Sequence, residues 1–229
     1  MGKTFDSAFA QLRRTEQSVW VPEIGEHWDR TYASRPDVEL SWFEREPTMS
    51  VRWISEAARA ASDAVIDIGG GTSELVDRLL QQGFTDVTVL DIAAHALDRV
   101  RGRLGPDAPR VHFVCHDVLT WSPERTYDVW HDRAVFHFLT DANDRADYVA
   151  LAARTVKRGG AVVLATFAQD GPTHCSGLPV TRYSPATAAA TFGEAFRPVA
   201  SEREEHVTPA GVVQPFNWVV LRRVSAATG

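Results

Sequence analysis

Val65-Ile66-Asp67-Ile68-Gly69-Gly70-Gly71-Thr72-Ser73, followed by Val87-Thr88-Val89-Leu90-Asp91, decides how the rest of this chain is read. An apolar run, a glycine turn, a helical stretch and a second apolar run ending in a carboxylate make a strand–turn–helix–strand unit. Glycines let backbone approach a ligand, and an acid at the end of the second strand can grip two ribose hydroxyls at once. A separation of about 20 residues between turn and acid is the spacing a nucleoside pocket uses. The unit predicts such a pocket along Gly69, Gly70, Gly71, Thr72, Asp91 and Ile92.

The pattern continues on both sides. Strand-like runs at 64–68, 87–91, 110–115, 127–132 and 161–167 alternate with helix-like runs at 72–82, 93–103 and 145–157. Such alternation predicts an α/β fold with a doubly wound, mostly parallel sheet and right-handed crossovers. Gly83 and the Gly159-Gly160 pair are expected to end the helices before them. Runs at 196–208 and 214–222 flank Pro209-Ala210-Gly211 and read as a C-terminal antiparallel hairpin, giving seven strands in all. Ahead of the sheet, 5–17 and 47–61 are helix-like, with the aromatic stretches His27-Trp28-Asp29-Arg30-Thr31-Tyr32 and Ser41-Trp42-Phe43-Glu44 between them. Residues 1–62 therefore read as an N-terminal helical cap on a core over 63–229, one domain overall.

Composition narrows the function classes. At 229 residues and 44% hydrophobic content the chain suits one α/β core. A formal charge of −6, without a long cationic cluster, argues against nucleic acid as a partner. The longest apolar run, about 161–168, is a strand's length, so no membrane span is expected. Cys115 and Cys175 have neither disulfide-framework nor zinc spacing, which fits a reduced cytoplasm. The N-terminus, Met1-Gly2-Lys3-Thr4-Phe5-Asp6, reads as neither a signal peptide nor a myristoylation site.

Two nucleosidic ligands compete for the pocket. A dinucleotide turn needs a third glycine, where this chain has Glu74, and a carboxylate opening that helix would repel a diphosphate. S-adenosylmethionine carries an ammonium and a sulfonium and no phosphate, so the turn favours a methyl donor over NAD. On these motifs the sequence resembles the class I S-adenosylmethionine-dependent methyltransferases. Asp67-Ile68-Gly69-Gly70-Gly71-Thr72 looks like their first motif, with Ser73 where a glycine is usual, and Asp91 matches the ribose-binding acid. His116-Asp117-Val118 looks like the third motif, which implies that Asp117 and Val118 flank the adenine. Asp67 reads either as a partner of the donor's ammonium or as a brace for the glycine turn. Trp28, Tyr32, Trp42 and Phe43 either cover the donor, with their ring faces toward the sulfonium, or pack as the apolar side of the N-terminal cap.

The acceptor side should lie at the end of the fourth strand, Tyr127-Asp128-Val129-Trp130-His131-Asp132-Arg133-Ala134-Val135-Phe136-His137. The Asn/Asp-Pro-Pro-Tyr/Phe run of amine-modifying relatives is absent. Asp132-Arg133-Ala134, with Asp144-Arg145-Ala146-Asp147-Tyr148, resembles the thiopurine-methyltransferase group, which implies Arg133 beside the acceptor. Trp28-Asp29-Arg30-Thr31-Tyr32 resembles the start of a group of protein-lysine methyltransferases. An adjacent arginine favours a thiolate and also disfavours a charged lysine, so Arg133 fits either acceptor. A salt bridge to Asp132 or Asp128 is its plain alternative. His131 and His137 are candidate proton acceptors near neutral pH, or simple hydrogen-bonding groups. His112 and His116 share a strand face without a third ligand, and His174-Cys175 has no partner pair, so no metal is expected.

These readings point to an S-adenosylmethionine-dependent methyltransferase, yielding S-adenosylhomocysteine, that acts on a small-molecule acceptor such as a thiol. The alternatives are a protein-lysine N-methyltransferase, an NAD(P)-dependent oxidoreductase and a non-catalytic donor-binding module. The punctuated loop 169–183 is a candidate wall of the acceptor site.

Overall fold

The computed structural model describes residues 21–224. The helix-like run at 5–17 lies outside them. Helix α1 (Val21–Ser34) and helix α2 (Thr48–Ala57) precede an alternation of strands and helices. These are β1 (Val65–Ile68), α3 (Leu75–Gln81), β2 (Val87–Asp91), α4 (Ala94–Leu104), β3 (Val111–Cys115), β4 (Tyr127–Arg133), α5 (Ala142–Thr155) and β5 (Val156–Phe167). A two-residue-per-strand hairpin, β6 (His174–Cys175) and β7 (Leu178–Pro179), leads to α6 (Pro185–Phe192). The long strands β8 (Phe196–Val207) and β9 (Val213–Arg223) close the chain.

The sheet has seven strands in the order β3-β2-β1-β4-β5-β9-β8, parallel through β5 and antiparallel across β9 and β8. Alternate side chains go to opposite faces, because a strand repeats every two residues. Val65, Val89, Val129 and Val163 pack with Trp53 and Ile54 of α2, Leu79 of α3 and Leu97 of α4. Ile66, Leu90, Trp130 and Val162 pack on the other face with Tyr148 and Leu151 of α5 and Phe192 of α6. Both faces are covered, as a parallel sheet requires.

Helix ends differ from the sequence reading for local reasons. α3 starts at Leu75, since residues 69–74 are spent on the glycine turn and the Ser73 hydroxyl accepts from the Leu75 amide at 3.1 Å. α5 starts early, at Ala142, where the Asp141 carboxylate caps the Asn143 and Asp144 amides. It also stops early, at Thr155, because buried Val156 pairs with Tyr127 and the chain is already irregular strand before Gly159. The loop 169–183 holds the small β6–β7 hairpin, turned by Ser176 and Gly177, both at positive φ. The aromatic stretch around Trp28 is helical, part of α1, which the sequence reading had not assigned.

Candidate functional site

Asp67 and His131 are register partners on the adjacent strands β1 and β4, so their side chains leave the same face of the sheet. The His131 Nδ1 lies 2.7 Å from Asp67 Oδ1, with both side chains almost wholly buried. An ionised carboxylate can only accept, so Nδ1 carries the proton and donates. Nε2 is buried and has no protein partner. This is the arrangement of a base held and oriented by an acid behind it.

The glycine turn runs directly beside this pair. Gly69 and Gly71 have φ of 64° and 54°. A Cβ on Gly71 would stand 2.3 Å from the Tyr32 hydroxyl, and one on Gly69 would stand 2.1 Å from Val135 Cγ2. Only glycine fits either place. Asp91, at the end of β2, accepts from the Gly71 amide and the Ala93 amide at 2.8 Å each, one on each carboxylate oxygen. Burial pushes its carboxyl up to about 6, against those two hydrogen bonds. Ile92 lies against Gly25 of α1. Asp117 caps the next turn through the Leu119 amide at 2.9 Å, and Val118 is buried beside it.

A cavity of about 50 Å³ lies between the glycine turn and the N-terminal segment. Tyr32, Trp42, Phe43 and Glu44 line it from one side, and Asp67, Gly69, Thr72, His131 and Arg133 from the other. Trp28 lies outside this lining and packs against it, its ring 5.6 Å from Trp42 and 5.3 Å from Phe138, each edge to face.

Arg133 pairs with neither Asp132 nor Asp128. Its Nη1 donates to the Trp42 carbonyl at 3.1 Å, and its Nη2 stands 3.0 Å from Glu44 Oε1 as an ion pair without hydrogen-bond alignment. The guanidinium lies 4.7 Å over the Phe216 ring, and Nε has no partner. Asp128 instead holds Lys157 at 2.7 Å. Asp132 accepts from the Val135 and Phe136 amides and from the Tyr148 hydroxyl, which also receives the Trp130 indole N–H. That network fixes the turn in which Ala134 adopts φ 72° and Val135 meets Gly69.

His137 is packed edge-on to Phe138 and against Phe167, away from the cavity lining. Neither ring nitrogen has a partner, and burial, helped by Arg133, pushes its imidazole down to about 3. It is a neutral ring at physiological pH. Cys175 is buried near the same place, with its thiol pushed up to about 12 by burial, so it is not a nucleophile. His112 and His116 point to different partners, Asp86 and the Asp117 carbonyl. Glu74 does not stand alone at the start of α3, because Arg78 lies 3.2 Å from its carboxylate. The repulsion expected of a diphosphate there is therefore weaker than the sequence implied.

Three further residues beside the site carry no signature in the sequence. Glu44, Glu204 of β8 and His206 of β8 bring their polar atoms within 4.8 Å of one another. They come from opposite ends of the chain, and only the strand order β5-β9-β8 unites them.

Residues 65–160, from β1 to the start of the fifth strand, match the family profile described as a methyltransferase domain. The fold is that of the class I S-adenosylmethionine-dependent methyltransferases. Among curated relatives, malonyl-[acyl-carrier protein] O-methyltransferase 1 of Ilyobacter polytropus is 27% identical over 78 residues, 34% of this chain. EEF1A lysine methyltransferase 2 of Danio rerio is 28% identical over 121 residues, 48% of this chain. These matches span 29% and 52% of the relatives' own lengths. A solved structure described as "Conversion of a Disulfide Bond into a Thioacetal Group during Echinomycin Biosynthesis" shares the fold, with a TM-score of 0.72 at 18% identity. The likeness covers 90% of this chain and 95% of that one. Among the described residues, no helix is long and apolar enough to cross a membrane.

Proposed function

We propose that this protein is a methyltransferase that moves a methyl group from S-adenosylmethionine to a small-molecule acceptor, a thiol or similar soft nucleophile. The observation that carries the reading is the buried, unpartnered Nε2 of His131, backed by Asp67 and placed in the same cavity as Arg133.

The residues present fit the donor chemically. Gly69, Gly70, Gly71 and Thr72 would give it backbone to lie against, Asp91 would take the ribose hydroxyls, and Ile92, Asp117 and Val118 would border the base. Each Asp91 oxygen accepts one amide and retains capacity for another donor. Asp67 puts a carboxylate on the cavity wall, suited to a ligand with a positive centre. When bound, the donor supplies a methyl group on an electrophilic sulfonium. Trp28 and Trp42 would cover it and exclude water. The cavity of about 50 Å³ is small beside the ~300 Å³ of a modest ligand pocket, so the Tyr32–Trp42–Phe43 roof must swing aside for entry.

The chain's own part in the transfer is positioning and proton handling. His131 takes the acceptor's proton on Nε2, and Asp67 stabilises the imidazolium that results. Arg133 faces the anion left on the acceptor and stabilises it. His137, held neutral among aromatic rings, serves as packing behind Arg133. The echinomycin-pathway structure concerns sulfur chemistry by its own description, which supports a soft acceptor. The match to a lysine methyltransferase favours a second reading, methylation of a protein lysine. The enclosed roof over the cavity favours the first.

Incubation with radiolabelled donor, a panel of small thiols and a cell lysate tests the proposal. Label in a small product supports it, and label confined to protein bands supports the lysine reading. No transfer from a protein that binds the donor would leave only a binding module.

A further inference from the structure

The strap Leu40–Glu44 roofs the cavity, and four polar contacts fasten it. Two come from Arg133 of β4, to the Trp42 carbonyl and the Glu44 carboxylate. Two come from His206 of β8, whose Nε2 meets the Ser41 carbonyl at 2.7 Å and whose Nδ1 meets Glu44 Oε1 at 3.4 Å. Both ring nitrogens of His206 thus face acceptors. A carbonyl can only accept, so Nε2 carries a proton, and a proton on Nδ1 would let the ring face Glu44 as an imidazolium. Glu204, which receives the Trp218 indole N–H at 2.7 Å, also reaches the Glu44 carboxyl. Two carboxyls in contact away from bulk water hold one proton between them more readily than two charges.

We propose that Glu44, Glu204 and His206 form a proton-sharing clasp that positions Arg133 and fastens the 40–44 strap over the cavity.

Glu44 and the Ser41 carbonyl face His206 from the strap, the Phe216 ring from β9, Glu204 from its own strand, and Arg133 lies across Glu44. The charge states agree with the geometry. Burial acts against it, yet the His206 hydrogen bond and the Arg133 charge hold the Glu44 carboxyl below the usual range. Burial pushes the Glu204 carboxyl above its usual range, opposed by Arg133 and assisted by Glu44. The two carboxyls are thus pushed in opposite directions. The sign of the pH effect follows. While His206 is an imidazolium, Nδ1–H donates to Glu44 and the clasp is shut. Once that proton is lost, a lone pair faces a carboxylate and the strap loosens as pH rises.

The clasp bears on methyl transfer only through the donor-crevice reading above, so its test has one arm that does not use the donor. Amide hydrogen exchange of the 41–45 peptide, corrected for intrinsic rates, is followed from about pH 6 to about pH 8 in wild type, His206→Gln and Glu204→Gln. Glutamine at 206 can still donate to the Ser41 carbonyl but cannot be charged. Glutamine at 204 gives Glu44 a permanent amide donor in place of the shared proton. Strap protection should fall about fivefold over this range in wild type. It should be low and flat in His206→Gln, and retained at the low-pH end in Glu204→Gln. In the second arm, S-adenosylhomocysteine should dissociate about fivefold faster from His206→Gln than from wild type near pH 6. Circular dichroism of each variant guards against global unfolding, and if His206→Gln fails to fold, Glu204→Gln compared with Glu204→Ala decides, the amide preserving strap protection and the alanine losing it. The same exchange profile in wild type and variants overturns the clasp. Absence of S-adenosylhomocysteine binding to wild type at every pH overturns the donor reading instead, while the exchange arm still decides the clasp.

Discussion

Asp91 shows how one side chain is shaped for a ligand at a cost to the fold. Burial raises its carboxyl to about 6 although two backbone amides donate to it. A pKa raised in the folded state means a contribution to stability that is complete below the unfolded value, near ~3.9, and lost as pH rises through about 6. Ribose hydroxyls donate to the ionised form, so donor affinity has the opposite slope. S-adenosylhomocysteine should bind with full affinity near neutral pH and weaken up to about tenfold per pH unit below about 6, with proton release. Calorimetry in buffers of different ionisation enthalpy measures both. At His131, substitution by glutamine should lower kcat by roughly 10²–10⁴ while leaving S-adenosylhomocysteine affinity within about twofold. At Gly71, alanine meets both a positive φ and the Tyr32 hydroxyl. Gly71→Ala should destabilise the protein by about 1–3 kcal/mol in urea titrations and also weaken donor binding.

At the scale of elements, the core strands were legible because each is a short apolar run bounded by turn residues. The central run 65–68 is buried on every residue, and the structure begins β1 within one residue of the expected start. Asp91 falls at the end of β2, as read from the sequence. The ends of α5 were less legible, since Asp141 as a cap and Val156 as a strand residue depend on neighbours outside the helix. The Ser176-Gly177 turn of β6–β7 was available as a signal, but two-residue strands carry no periodicity. Helix α1 was less legible although Trp28 and Tyr32 stand four apart on it, because its aromatics pack in a small cluster with Leu40 and Ala96 and not in the main core. The cap on α5 makes a clean test. Asp141→Ala should cost about 1 kcal/mol of stability with methyl transfer unchanged, since the helix packs on the face opposite the cavity. A loss of activity beyond the loss of folded protein would show that α5 does more than support the sheet.

The whole molecule brings distant parts of the chain together at one end of the sheet. Asp67 and His131 meet because β1 and β4 are neighbours in register, a pairing that follows from the doubly wound order and so was within reach of the sequence. The Glu44–Glu204–His206 cluster was not, because no local pattern tells which residues of an edge strand face a strap about 160 positions earlier. Ligand binding should register across the whole fold. S-adenosylhomocysteine at about a hundred times its Kd should add about 2.7 kcal/mol to the unfolding free energy, seen as a rise in Tm. The sharpest discrimination is a paired calorimetric titration with S-adenosylhomocysteine and NADH. One equivalent of S-adenosylhomocysteine should bind, the heat should vanish in Asp91→Ala, and NADH should give no saturable signal. Saturable NADH binding that Asp91→Ala removes, with no heat from S-adenosylhomocysteine, would contradict the assignment of this crevice to a methyl donor.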